Sequence, residues 1–357
     1  MEIFKPMMEF DHEQVLFCYE PSSGYKGIIA IHNTTLGPAL GGTRFWNYRT
    51  DDEAFVDALR LSRGMTYKAA SAGLNLGGGK AVIIGDPRTA RREMLFRAHG
   101  RFVETLKGRY ITAEDVGTSV EDMDFVQMET DHVAGVAGGS GDPSPVTAYG
   151  TYRGIKASAR ERFGSDSVTG LTIAVQGCGH VGYHLCRYLA EEGANLVVTD
   201  IDEGRIGRVV GEFGARAVAA DRIYDVDAPI FAPCALGAII NDDTLPRFRF
   251  EIIAGAANNQ LAEPRHGDEL TERNILYAPD YVINAGGLIN VYGEVKGWTS
   301  DRAMRKAGEI YETLMQLFEL AKEQGIPTNL AADRLAERRI EQVAAQKRTW
   351  LLSRRSR

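Results

Sequence analysis

The chain has 357 residues, 44% hydrophobic and 25% charged, the proportions of a soluble globular protein and not of a disordered, collagen-like or multi-span membrane chain. At roughly 150 residues per domain the length suggests two domains. A net charge of -7 argues against a dedicated nucleic-acid binder, which would carry a basic field, and no run reaches the ~18 apolar residues of a membrane helix. Glycine is the outlier, with 39 residues, about 11% of the chain against a usual ~7%.

In chain order, Gly27–His32 reads as a strand and Asp51–Tyr67 as a helix opened by a capping box, Thr50 with Glu53. Lys80–Ile84 reads as a strand, Arg91–Leu106 as a helix and Arg109–Ala113 as a strand. The stretch from Gly135 to Pro145 holds four glycines and two prolines in eleven residues. It marks a junction, and a domain boundary is expected there, with one domain over 1–134 and a second over 135–330. Beyond it, strand 171–176, helix 180–192, strand 195–200 and short strands near 229–232, 251–255 and 281–284 alternate as βα units. That alternation predicts an α/β fold with a parallel, doubly wound sheet. The tail from Ala331 carries eight Lys/Arg against three Asp/Glu. With Leu335, Ile340 and Val343 at helical spacing, it reads as a solvated amphipathic helix.

The four cysteines, Cys18, Cys178, Cys186 and Cys234, have no CxxC pairing, so neither a zinc site nor a disulfide framework is expected. The seven histidines show no ligand spacing, and no metal is expected. The start lacks a cationic region followed by an apolar core, so the reading is a cytoplasmic protein.

The strand Leu171–Gln176 runs into Gly177-Cys178-Gly179-His180-Val181-Gly182, a helix follows, and the next strand closes on Asp200, 18 residues after Gly182. A GxGxxG placed between strand and helix, with an acidic residue ending the second strand, has the context of a dinucleotide site. Gly177 permits the tight turn, and Gly179 lets the pyrophosphate approach the helix N-terminus. Gly182 lets helix and strand pack closely. Asp200 would accept from the adenosine ribose hydroxyls, and Asp202 and Glu203 add negative charge that would repel a 2′-phosphate. The expected cofactor is therefore NAD.

Upstream, Leu61, Met65 and Lys68 share one helix face, which puts Lys68 along a buried seam. Lys80 follows Gly77-Gly78-Gly79, and a glycine triplet suggests a ligand lying against the backbone. Asp115 stands at the C-terminal end of a strand, where open α/β sheets place their chemistry. Singly, each reads as a snorkelling lysine or a capping aspartate; together, ahead of a dinucleotide domain, they point to catalysis. A P-loop reading of Gly77–Lys80 fails, because Leu74 stands where glycine is needed and Ala81 where Ser or Thr is needed.

These motifs are similar to those of the amino acid dehydrogenase family that includes glutamate, leucine, valine and phenylalanine dehydrogenases. Thr35–Arg44 resembles the family's substrate-edge segment. Gly64–Lys68 and Gly77–Lys80 resemble its two lysine motifs, and Thr112–Asp115 its catalytic aspartate segment. Ala232–Ala235, Gly255–Asn259 and Asn284–Gly287 resemble the loops that border the nicotinamide. The resemblance covers nearly the whole chain and is strongest to the leucine-specific members. It implies an N-terminal α/β domain for substrate and oligomerisation, to which a C-terminal helix of about 331–357 returns, and a Rossmann-type NAD domain across a cleft.

The reaction it implies is reversible oxidative deamination of L-leucine and related branched-chain L-amino acids to 2-oxo acids and ammonia, by a cytoplasmic homo-octamer with no nucleic-acid or membrane partner. By the same resemblance Lys68 holds the substrate carboxylate. Lys80, buried near the second cation Lys68, has a depressed pKa and acts as the base, and Asp115 shuttles protons. Asn258 orients the substrate amine or the cofactor carboxamide. Leu40, Gly41, Met65, Gly77, Gly78, Ala113, Leu288 and Val291 surround the substrate. Thr147, Cys234, Ala235, Ala256 and Asn284 join the glycine fingerprint around the cofactor. Leu40 stands where the glutamate enzymes carry a lysine, which implies an aliphatic side chain in the substrate.

Three alternatives remain at this stage. Tyr292–Trp298 is reminiscent of the aromatic amino acid members, so a phenylalanine or tryptophan dehydrogenase is one. A hydroxy-acid dehydrogenase would need a histidine acid/base instead of the lysine pair. A non-catalytic NAD-binding sensor would have no use for Lys68, Lys80 and Asp115 together.

Overall fold

The computed structural model describes residues 2–139 and 141–346. They fall into two compact units, one running to Gly141 and rejoined by residues 335–346, the other Asp142–Arg334.

The first unit is built from α1 (Phe4–Glu9), β1 (Gln14–Glu20), β2 (Tyr25–Asn33), β3 (Ala39–Trp46), α2 (Asp51–Ser71), β4 (Gly77–Ile84), α3 (Arg92–Thr105), β5 (Tyr110–Glu114) and α4 (Val120–Gln127). Its sheet order is β1-β2-β4-β3-β5. Strands β1, β2 and β4 pair antiparallel, and β4, β3 and β5 parallel. Strand residues alternate between two buried faces. Ile28, Ala30 and Val82 pack on Ala54, Phe55, Ala58 and Leu59 of α2, while Ile29, Ile31 and Ile83 pack on Leu95 and Phe96 of α3 and Met123 and Val126 of α4. Burial on both sides explains why β2 and β4 read as continuous apolar runs.

Thr50 caps α2 by accepting from the Glu53 amide at 3.1 Å. The reciprocal arm of the capping box is absent, since the Glu53 carboxylate accepts instead from the Arg49 amide.

Strand β3 went unread in the sequence because Gly41 and Gly42 interrupt it. Both allow close backbone approach: a Cβ on Gly41 would lie 1.7 Å from the Gly79 carbonyl oxygen, and one on Gly42 2.2 Å from that of Glu114. The glycine triplet lies inside β4, not before it, and has a packing reason of its own. A Cβ on Gly78 would meet the Thr66 amide nitrogen at 2.2 Å, and one on Gly79 the Tyr110 ring at 2.6 Å. The space beside Gly78 and Gly79 is thus filled by α2 and Tyr110, and that beside Gly77 by the Asn33 and Gly37 carbonyls.

The second unit contains α5 (Ser144–Phe163), β6 (Thr172–Gln176), α6 (His180–Glu191), β7 (Asn195–Thr199), α7 (Glu203–Phe213), β8 (Arg216–Ala217), β9 (Ile230–Pro233), β10 (Ile252–Ile253), α8 (His266–Glu272), β11 (Leu276–Tyr277), α9 (Asp280–Ile283), α10 (Gly286–Val295), α11 (Ser300–Gly308) and α12 (Ile310–Gln324). Its sheet runs β11-β10-β9-β6-β7-β8 and is parallel throughout. Numbered within the sheet, that is the doubly wound order of a dinucleotide-binding fold, with the switch point between β6 and β9. The parallel α/β architecture expected from the sequence is present.

One expected strand is absent. Residues 280–283 form the helix α9, entered through Pro279, whose carbonyl accepts from the Val282 and Ile283 amides. The run is apolar because Val282 and Ile283 are buried, and so short a run carries no period that separates helix from strand.

Helix α13 (Thr328–Gln346) begins in the second unit and belongs to the first from Leu335 onward. There Tyr67 Oη donates to Glu337 at 2.8 Å, and Arg339 donates to the Leu74 carbonyl. The expected tail helix starts before Ala331; its predicted part beyond 346 lies outside the described residues. Among the described residues, no helix is long and apolar enough to cross a membrane.

Candidate active site

In the first unit, β4 directs Lys80 to the α2 face, and Asp115 follows the last residue of β5. The two meet with Lys80 Nζ 2.7 Å from Asp115 Oδ2. Lys80 is 5% exposed. Burial pushes its ammonium below the ordinary lysine value; Asp115 opposes that shift and Arg44 adds to it. Burial alone would raise Asp115, but Lys80 and Arg44 hold its carboxyl below the usual aspartate value. A cation that acts on Lys80 is Arg44, beside the Lys68 that the sequence points to.

Arg44 is the functional neighbour that sequence reasoning missed. It lies within β3, two residues before its end; Nε donates to Asp115 Oδ2 at 3.1 Å, and Nη1 donates to Asp57 Oδ2 at 2.9 Å. Tyr48 Oη and Arg60 Nη2 donate to the same Asp57 at 2.7 and 3.0 Å. Thr118 Oγ1 accepts from the Asp115 amide at 2.9 Å and anchors the turn after β5. The available signal is a charged residue two positions after Gly41-Gly42.

Leu40 is buried in β3 beside Gly41, and Ala113 is buried in β5, paired with Gly42. Lys68 lies on α2 with Leu61 and Met65, but this stripe is half-buried, not a buried seam. The core face of α2 is instead Phe55, Ala58, Leu59, Ser62, Thr66 and Ala69.

In the second unit, Gly177 leaves β6 at φ +102, a conformation that favours glycine. Gly179 caps α6, and the position of its missing Cβ has only Arg205 Nη1 within 4 Å, at 3.8 Å. The start of α6 is therefore open to an anion, as a dinucleotide phosphate requires. A Cβ on Gly182 would lie 1.9 Å from the Gly177 carbonyl oxygen, the close helix–strand contact anticipated for it. Cys178 is buried, Val181 half-buried and His180 exposed, with His180 Nδ1 3.3 Å from Asp142. Burial raises the Cys178 and Cys234 thiols to about 12, so neither is a nucleophile at neutral pH. Asp200 accepts from the Cys178 amide at 2.6 Å through Oδ2 and from the Asp202 amide at 2.9 Å through Oδ1, tying the end of β7 to the fingerprint turn.

The remaining cofactor candidates gather at the C-terminal edge of the same sheet. The Cys234 amide donates to the Gln176 carbonyl at 2.7 Å, and Ala235 packs on Gly177. Asn284 is 3% exposed. Its Nδ2 donates to Asn258 Oδ1 at 2.8 Å and to the Ala256 carbonyl at 3.1 Å, while its Oδ1 is buried with no protein partner. Asn258 itself is exposed. Thr147 Oγ1 donates to the Pro143 carbonyl and lies 3.2 Å from the Cβ position of Gly287. Leu288 is buried and Val291 half-buried on α10. The sequence-predicted residues therefore form two groups: Lys68, Lys80, Asp115, Leu40 and Ala113 in the first unit, and the cofactor set with Asn258, Leu288 and Val291 in the second.

A parallel sheet of dinucleotide-binding order, a glycine turn with its acidic strand end, and a buried lysine–aspartate pair together define a nicotinamide-dependent dehydrogenase. Residues 12–132 match the family model described as Glu/Leu/Phe/Val dehydrogenase, dimerisation domain, and residues 200–348 that of Glutamate/Leucine/Phenylalanine/Valine dehydrogenase. The chain is 60% identical over 354 residues to a leucine dehydrogenase of Geobacillus stearothermophilus, covering 98% of this chain and 96% of the relative. It is 59% identical over 359 residues to one of Thermoactinomyces intermedius, covering 100% and 98%. A crystal structure of L-tryptophan dehydrogenase from Nostoc punctiforme superposes with a TM-score of 0.89 at 49% identity, covering 98% of this chain and 100% of that one. The chain belongs to the Glu/Leu/Phe/Val dehydrogenase family, as its motifs implied. That membership makes it an amino acid dehydrogenase and sets aside the hydroxy-acid and binding-only readings.

Proposed function

We propose that the protein catalyses the reversible, NAD-dependent oxidative deamination of L-leucine and related branched-chain L-amino acids to 2-oxo acids and ammonia. The observation that carries this reading is the buried Lys80–Asp115 pair, which supplies a base of depressed pKa and a proton carrier within 2.7 Å of each other. Lys68 binds the substrate carboxylate as a charge-assisted pair. The Gly177–Gly182 turn and Asp200 would hold NAD, which would supply the acceptor for the hydride lost from the substrate Cα. Neutral Lys80 takes the proton of the water that attacks the resulting imine carbon, giving a carbinolamine. Lys80 passes that proton to Asp115, which delivers it to the carbinolamine nitrogen; the C–N bond then breaks, ammonia leaves, and Lys80, neutral again, takes the hydroxyl proton as the 2-oxo acid forms. Asn258, its oxygen anchored by Asn284, orients the substrate amine or the cofactor carboxamide.

Cofactor choice rests on Asp200, Asp202 and Glu203, whose charge disfavours a 2′-phosphate. Leu40, Ala113, Leu288 and Val291 give an aliphatic side-chain pocket. Tyr292 and Trp298, the aromatic feature of the second reading, pack edge to face at 5.1 Å, and Arg302 covers Trp298 at 4.3 Å. These rings are engaged in joining α10 to α11, which favours the aliphatic reading. The active form we propose is a cytoplasmic homo-octamer, with substrate held by the first unit and NAD by the second. Replacing Lys80 with alanine tests the mechanism: turnover is lost while NAD binding persists, and near-normal turnover would refute it.

A further inference from the structure

Lys80 must be neutral for part of the proposed cycle. When it gives up its charge, Asp115 loses one of its two cations while still partly buried. The other is Arg44, which stays protonated at any working pH. Arg44 is itself held at both ends of its guanidinium, by Asp115 at 3.1 Å and Asp57 at 2.9 Å. Asp57 in turn takes Tyr48 Oη at 2.7 Å and Arg60 Nη2 at 3.0 Å, so the far end of the fork is tethered to α2 and to the loop after β3. Both Lys80 and Arg44 meet Asp115 at Oδ2, so the two cations share one carboxylate oxygen.

We infer that Arg44, anchored by Asp57 and Tyr48, is a positioning residue that keeps Asp115 aimed and countered while Lys80 cycles between its charged and neutral forms. The inference rests on the reading of Lys80 and Asp115 as the acid–base pair. Arg44 acts through Asp115 and touches no substrate in this role.

The charged and titratable groups around the pair include Arg44 on β3, Tyr48 beyond it, Asp57, Arg60 and Lys68 on α2, and Tyr110 on β5. Among them Arg44 lowers both Lys80 and Asp115. Its loss raises both, so the form with neutral Lys80 requires a higher pH. A cavity of about 440 Å³, lined by Arg44, Trp46, Tyr48, Asp57, Arg60 and Val116 among others, borders the guanidinium. Truncating Arg44 therefore leaves a space that free guanidinium can reach.

The test measures amino acid oxidation by the full-length enzyme against pH for Arg44→Ala, Arg44→Lys and Asp57→Asn. For Arg44→Ala, kcat falls roughly 100-fold near neutral pH, the usual weight of acid–base positioning, with the amino acid KM little changed. The acid limb of the kcat profile moves up by about one pH unit, and free guanidinium below denaturing concentrations restores part of the rate. Arg44→Lys keeps the charge without the two-ended fork and recovers the pH profile but only part of kcat. Asp57→Asn lowers kcat in the same direction although it does not touch Asp115. A kcat loss that is equal at every pH and not rescued by guanidinium would overturn the inference, as would an effect confined to KM. If Arg44→Ala does not fold, Arg44→Lys with wild-type kcat carries the same refutation. An active Lys80→Ala enzyme would instead sink the underlying acid–base reading.

Discussion

Replacing Asp115 with asparagine keeps the shape of the side chain and removes the counter-charge of a lysine that is 5% exposed. At the observed 2.7 Å, the attraction is about 6 kcal/mol with an effective dielectric of about 20. Desolvation offsets part of this, and breaking a buried pair by removing one partner costs about 3–5 kcal/mol. Arg44 retains Asp57, so most of the penalty falls on Lys80. Lys80 already has a folded pKa below its unfolded value, and without Asp115 it falls further. Between the folded and unfolded values the unfolded chain binds the extra proton, so stability rises with pH across that window. The variant is thus expected to lose about 3 kcal/mol at pH 7, with the deficit shrinking as the pH approaches 10. Denaturant melts at pH 7 and pH 9.5, run beside wild type, measure it. A deficit that is the same at both pH values would refute the assignment of Lys80 as the strained charge.

Other outcomes follow from the same geometry. Gly41→Ala forces β3 from β4, since its Cβ would lie 1.7 Å from the Gly79 carbonyl oxygen; a loss of about 3 kcal/mol or more is expected in a melt. Gly207→Ala in α7 meets nothing within 4 Å, and in the same assay gains about 0.5–1 kcal/mol. His99 is fully buried and its pKa is depressed to about 3, so its contribution is complete above 6.5 and is lost as pH falls. It costs about 2 kcal/mol by pH 5, and urea melts of His99→Gln should lose less on acidification than wild type. Asp200→Ala removes the acceptor of the Cys178 amide and the charge facing a 2′-phosphate. The ratio of kcat/KM for NAD over NADP is expected to fall at least tenfold, and an unchanged ratio would remove Asp200 from cofactor choice.

The second unit was the more legible in sequence, because its logic is local. A strand, a glycine turn and a helix are contiguous, and the strand end that closes on Asp200 follows within one βα unit. The first unit hides its chemistry in long-range contacts. Lys80 and Asp115 were readable as residue types after a glycine run and at a strand end, yet their partner Arg44 depends on the parallel pairing of β3 with β4 and β5. Gly41 and Gly42 made β3 look like a loop, although they are small because neighbouring backbone fills their space. The glycine triplet suggests a ligand in the sequence, and in the fold Gly78 and Gly79 also make room for Thr66 and Tyr110. Spacing alone puts Lys68 on a buried seam; the denser face of α2, with Phe55 and Leu59, takes the core instead.

The most direct test of the proposed activity is ammonia-dependent oxidation of NADH by the purified protein across a panel of 2-oxo acids. Rapid oxidation with 4-methyl-2-oxopentanoate, little or none with phenylpyruvate and none when ammonia is left out is the expected result. Faster oxidation with phenylpyruvate, or oxidation that proceeds without ammonia, would contradict it.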